Sequence, residues 1–318
     1  MPHLIGEVTG TLDDKAHFKF FNAFKNFANN NGWTTLMEND PSATDKYVLL
    51  KGTDITGDTY IGLKTYGPNH IAVCASTGYL PSQTFDNQPN MYQVGIPLYY
   101  DKVRYWITLN NRRIAFCCQI GTAHYESGYI GRFIPYASPL QYPYPVACAG
   151  MFGYYDSSYL LSTNPYTYVY SSNPDYHYRL PYKGTSIGSG SSLILSSSSI
   201  SYNMVAYSSF TNKWFYPVMH PYNCLGTRLY TGQIEGKNTI YELELCVPNL
   251  QNSGSSDATT QRTPGGIYGK LDGIYYISGS YMYPEVTLSI DGYTYIVFRD
   301  KNLDAAGNHY VMRLDPNE

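Results

Sequence analysis

After Gly32 the chain carries no second helical stripe. Apolar residues come instead in short runs such as "GWTTLME", "KYVLLKGT", "TYIGLKTY" and "HIAVCASTGY", parted by clusters of Asp, Gly, Asn and Pro. Strand-length runs with no helices between them cannot supply the crossovers a parallel sheet needs, so the strands must pair antiparallel and stack face to face. The expected fold is mainly β: sandwich-like antiparallel sheets with one N-terminal helix. That helix is read from "TLDDKAHFKFFNAFKNFANNNGW". Leu12, Ala16, Phe20, Phe24 and Phe27 recur at helical spacing, and Gly32 follows the end. Thr11 stands where an N-cap belongs, with Asp13 and Asp14 in the first turn. The Phe stripe is expected to lie across a sheet.

Local turn chemistry adds detail. "VRYWITLNNRRIAFCCQIG" reads as a hairpin in which Asn110–Asn111 adopts the left-handed turn conformation, and "SIDGYTYIVF" as a second hairpin closed by Asp291–Gly292. "YASPLQYPYPVACAG" (136–150) holds three prolines and three tyrosines. Proline fixes φ and removes a donor, so this stretch is expected to run as an extended, preordered crossing, neither helix nor interior strand. The texture then changes. Residues 1–150 read as a helix-bearing β unit ending in the Pro/Tyr crossing, and 151–318 as a Tyr-rich second β unit, with a soft boundary. Within it, 184–201 is Ser/Gly-biased and 251–266 is poor in core-forming residues.

Composition narrows the function classes. Charged residues are 14%, against about 25% in an ordinary soluble domain. There are 36 tyrosines. Low charge with abundant Tyr fits a surface covered by other proteins, while Tyr alone is explained by β-propensity. A net charge of −3, with Arg112–Arg113 as an isolated basic pair, argues against a nucleic-acid partner. No window approaches the apolar length of a membrane span, and the start carries no secretory pattern. The six cysteines show no metal or redox spacing and are expected to be reduced and mostly buried, in a protein folded in a cytosol.

Candidate chemistry is thin. "GTSIG" (184–188) matches a nucleophile-elbow pattern around Ser186, but it lacks the flanking strand and helix that expose such a serine. His124 and Glu126 share one face of a strand, most simply a solvated polar face. Asp54 and Asp58 flank a turn without the alternating oxygen ligands of a calcium loop. Glu242 and Glu244 alternate with apolar residues, as on the solvent side of a strand. No catalytic residue, cofactor or metal is expected.

Several blocks, taken together and in order, resemble a family of tailed-bacteriophage virion structural proteins. They are "TYIGLKTY", "YWITLNNRRIAFCCQIG", "GRFIPYASPLQYPYPVACAG", "GKLDGIYYISG" and "IDGYTYIVFRD…NHYVMRLD", covering 33–150 and 266–315. Family members carry a similar "ANGRRI" turn where this chain has "LNNRRI". The resemblance implies a non-enzymatic component of the tail, baseplate or neck. Such a protein would be assembled in the host cytoplasm, with other virion proteins and copies of itself as partners. Tyr136, Tyr142, Pro143, Tyr144 and Pro145 are then the candidate interface, a preformed docking surface; an internal strap over the chain's own core is the other reading of the same residues. A module binding host-surface glycan, with "SSNPDYHYRLPY" (171–182) as its platform, is the second class, and an envelope hydrolase the third.

Overall fold

The computed structural model describes residues 2–40, 42–67, 69–98, 101–120, 124–136, 144–150, 204–208, 213–215, 218–220, 240–247, 266–277, 283–299 and 309–314. Strand β1 (His3–Thr9) opens the chain, followed by helix α1 (Ala16–Asn30). Five strands then form one sheet in chain order: β2 (Thr34–Glu38), β3 (Tyr47–Asp54), β4 (Gly57–Tyr66), β5 (His70–Ser76) and β6 (Tyr92–Pro97). Next come β7 (Lys102–Asn110), β8 (Arg113–Ile120), β9 (His124–Arg132), the two-residue β10 (Ile134–Pro135), β11 (Val146–Gly150), β12 (Met204–Ser208) and β13 (Lys213–Phe215). Apart from β10 they join β1 in a central sheet of order β1-β7-β8-β9-β11-β12-β13.

The third sheet is built from β14 (Val218–His220), β15 (Ile240–Val247), β16 (Gly266–Ile277), β17 (Thr287–Ile290), β18 (Tyr293–Arg299) and β19 (His309–Arg313). Its order is β14-β15-β16-β19-β18-β17, with β10 paired to β16. The fold is therefore mainly β, every described pairing is antiparallel, and α1 is the one α-helix among the described residues. Strands from both sides of residue 150 share sheets.

The central sheet is apolar on both faces, which is why β7 and β8 read as near-continuous runs. Tyr105, Ile107, Ile114, Phe116 and Cys118 face α1 and the first sheet, meeting Phe20, Phe24, Leu50, Leu63 and Val73. Trp106, Ala115, Cys117 and Tyr129 point the other way, onto Leu271, Ile274, Phe298 and Tyr310 of the third sheet. Cys117 and Cys118 thus lie in different cores. Cys74, Cys117, Cys118 and Cys148 are buried free thiols.

Three local expectations need correction. The helix starts at Ala16, with Lys15 at the N-cap and no acid in its first turn. Thr11 Oγ1 instead accepts the Asp14 N–H at 3.0 Å, closing a separate turn, and Leu12 is almost fully exposed. That turn is needed because Gly10 is still bonded to Asp101 at the end of β1. The β7–β8 turn does not use left-handed asparagine. Asn110 Oδ1 accepts the backbone N–H groups of Arg112 (3.0 Å) and Arg113 (3.1 Å), so the side chain builds the turn. Finally, 146–150 is an interior strand, with β11 paired to both β9 and β12. The proline restriction ends at Pro145, and "VACAG" keeps every backbone donor. The Asp291–Gly292 hairpin forms as expected, with φ of 52° and 81° at the two residues and Ile290 opposite Tyr293.

Candidate functional site

Residues of all three sheets meet at the tip of the β7–β8 hairpin. Trp33, just past α1, donates its indole N–H to the Asn110 carbonyl at 2.9 Å. The Asn110 side-chain amide donates to Asp272 Oδ2 of β16 at 2.6 Å, and Arg112 Nε lies 3.2 Å from the same oxygen. Arg112 also approaches Asp54 of β3 at 3.8 Å. One hairpin tip therefore pins the first sheet, the central sheet and the third sheet together. Gly131 of β9 makes room for it: φ is +123°, and a Cβ there would sit 2.3 Å from the Arg112 carbonyl oxygen. Asp272 is buried, so Asp272→Ala is expected to leave Arg112 and Asn110 short of a partner and to lower the unfolding free energy by about 1–3 kcal/mol in urea titration.

The same latch fixes the β3–β4 hairpin. Asp54 Oδ1 accepts the Thr56 N–H at 2.7 Å, and Arg132 Nη1 donates to the Thr56 carbonyl at 2.8 Å. Burial works against ionising Asp54. The Thr56 hydrogen bonds and the Arg132 and Arg112 charges outweigh it and hold the carboxyl below the ordinary carboxylate range. Asp58, across the turn, is occupied by Thr53, Lys51 and Tyr60. With its polar groups engaged, this rigid turn carries a fully exposed isoleucine, Ile55, at its tip.

Arg132 also starts the Pro/Tyr crossing. The Phe133 N–H donates to the Pro145 carbonyl at 3.0 Å, closing the base of the excursion, and its first leg β10 pairs with Gly269 and Lys270 of β16. Of the candidate interface, Tyr136, Tyr144 and Pro145 are described; Tyr142 and Pro143 lie outside the described residues. Tyr136 is 47% exposed and Tyr144 44%. The Tyr136 phenol lies 3.0 Å from Glu244 Oε1 and 3.1 Å from Glu242 Oε2, and Lys270 pairs with Glu242. Partial burial and the two carboxylates raise the Tyr136 pKa, so the ring stays a neutral donor. The acids read as a plain solvent face are thus anchors for the crossing.

Elsewhere, Glu126 is buried, not solvated as the strand reading has it. It lies opposite Cys118 on the core side of β9. Burial pushes the Cys117 thiol up to about 12, so it stays protonated. Among the described residues no three His, Cys, Asp or Glu side chains could hold a metal, and no helix is long and apolar enough to cross a membrane. Ser186, the 171–182 segment and 251–265 lie outside the described residues. Ile55 was missed. Its signal is a lone apolar residue between Asp54 and Thr56–Gly57, where a turn would otherwise be polar. No protein-family model matches the chain, and a search of curated proteins finds no match.

Proposed function

We propose that this protein is a non-enzymatic structural component of a tailed-bacteriophage particle, of the tail, baseplate or neck, held in place through the end of the molecule that bears Ile55, Tyr136 and Tyr144. The observation that carries this reading is the pairing of exposure with rigidity: Ile55 stands fully in solvent on a turn tied down by Asp54 and Arg132, beside a crossing closed at its base. A preordered surface loses little entropy on docking, and aromatic rings supply contact area at low conformational cost. The sequence blocks and the low charge of the chain point the same way.

The test is made in particles. Immunogold labelling of virions and detached tails with antibody to the recombinant chain should place gold at one end of the tail. Ile55→Asp combined with Tyr144→Ala should leave the thermal midpoint of the isolated chain near that of the wild type and abolish its incorporation. Absence of the wild-type chain from purified particles would overturn the proposal, as would normal incorporation of the double variant.

A further inference from the structure

The central sheet ends on β1, and that edge is unlike the others. Sheet edges invite pairing with another chain, and proteins blunt them with short strands, bulges, prolines or charges. Among the described residues the remaining edges follow this rule. β13 and β14 have three residues each, β17 has four, β2 carries a register break between Thr35 and Met37, and β6 ends on Pro97. β1 has seven residues in unbroken register with β7, with no bulge and no proline, and its one carboxylate, Glu7, is paired within the sheet to Lys102.

Its free row can be identified. The Leu109 N–H donates to the Pro2 carbonyl, and the Gly10 N–H to the Asp101 carbonyl, so even-numbered residues bond inward to β7. In an antiparallel ladder the alternate residues then point their backbone groups outward: His3, Ile5, Glu7 and Thr9. All four are exposed. The Thr9 carbonyl is taken by Lys19 Nζ at 2.8 Å, which leaves His3 to Glu7 as the open segment.

We infer that this segment pairs with the same segment of a second copy, antiparallel and about a two-fold axis, so that the central sheet runs through both molecules. The side chains select both partner and register. Centring the axis on Ile5 sets Ile5 against the partner's Ile5 and His3 against the partner's Glu7, all on one face of the joined sheet. An apolar cross-strand pair is stabilising, and an imidazole opposite a carboxylate avoids the like-charge opposition that is destabilising. Centring on Glu7 would oppose two carboxylates. Centring on Gly6 would face Ile5 with a carboxylate and require the carbonyl that Lys19 holds. The favoured residues are already positioned. His3 Nδ1 lies 2.6 Å from the Leu314 carbonyl oxygen, and Glu7 pairs with Lys102 at 3.0 Å through one carboxylate oxygen. The pairing concerns a different edge from the Ile55 end and holds whether or not the chain belongs to a phage particle.

Sedimentation equilibrium of the full chain over a concentration series tests it. The wild type should move reversibly from monomer to dimer. Ile5→Pro removes an outward donor and no bond to β7, so it should hold the chain monomeric with unchanged far-ultraviolet circular dichroism. Should proline disturb the fold, exposed charges decide: Glu7→Lys should weaken association at least tenfold, and adding His3→Glu should restore it. A wild type that stays monomeric throughout overturns the inference. So does a dimer indifferent to folded Ile5→Pro, or to Glu7→Lys.

Discussion

Replacing Phe116 by alanine is expected to cost about 3–5 kcal/mol of unfolding free energy, read as a lower urea midpoint with an unchanged slope. The ring is fully buried on the helix side of the central sheet. Its centroid lies 5.3 Å from that of Phe20 and 6.0 Å from that of Phe24, nearly edge-on to the latter. Beneath it is a hollow made by Gly128, where any Cβ would fall 2.4 Å from the Phe116 Cζ. The cost is set by how far the site can collapse. Here α1 is wedged between two sheets, each pinned by the Asn110–Arg112 latch, so the cavity stays open. Gly128→Ala alone should overpack the same spot, and in the Phe116→Ala background it should cost much less. A measured loss under about 1 kcal/mol for Phe116→Ala would contradict this packing.

What could be read from the sequence divides along range. The Phe stripe needs only helical spacing, so Phe20 and Phe24 were legible as core. Asp291–Gly292 is legible because two adjacent residues able to adopt left-handed φ make the turn by themselves. The adjacent asparagines look similar, yet Asn110 supplies a side-chain acceptor instead of a backbone conformation, and composition does not separate those uses. The Pro/Tyr stretch is read too broadly for its last five residues, which contain no proline and form β11; residues 137–143 of it lie outside the described residues.

The candidate site lies at the far end of that scale. Asn110 meets Asp272 across 162 positions, and Tyr136 meets Glu242 across 106. Each partner taken alone is an ordinary polar residue on a strand or turn. Burial on both faces explains why β7 and β8 lack clean alternation, but it does not say what covers either face. That Glu126 lies inside also escapes its local pattern, since "HYESG" alternates as an exposed strand would.

Acid should destabilise this protein well above the range where its carboxylates titrate, through His17 and His70. Both are buried where α1 meets the start of β5. Burial lowers the His70 pKa from 6.5 to about 4; His17 is also brought to about 4, by burial first and then by the positive charges of Lys15, His70 and Lys46. The unfolded chain binds these protons near pH 6.5 and the folded chain does not, so stability is complete above that pH. It is lost as the pH falls toward about 4, by about 3 kcal/mol at most for each histidine. Asp54 acts in a lower window. Its folded pKa lies below 3.8, so its contribution holds above that value and is lost only beneath it. The two sources can therefore be told apart by pH. Urea titrations between pH 7.5 and 4 should give a falling unfolding free energy, and His17→Phe should remove about half of the slope. That variant should lose nothing at neutral pH, because the His17 Nε2 is buried without a hydrogen-bond partner and a phenyl ring has no such atom to satisfy. A flat profile from pH 6.5 to 4 would mean that neither imidazole is held neutral, and that the first turn of α1 lies open to water.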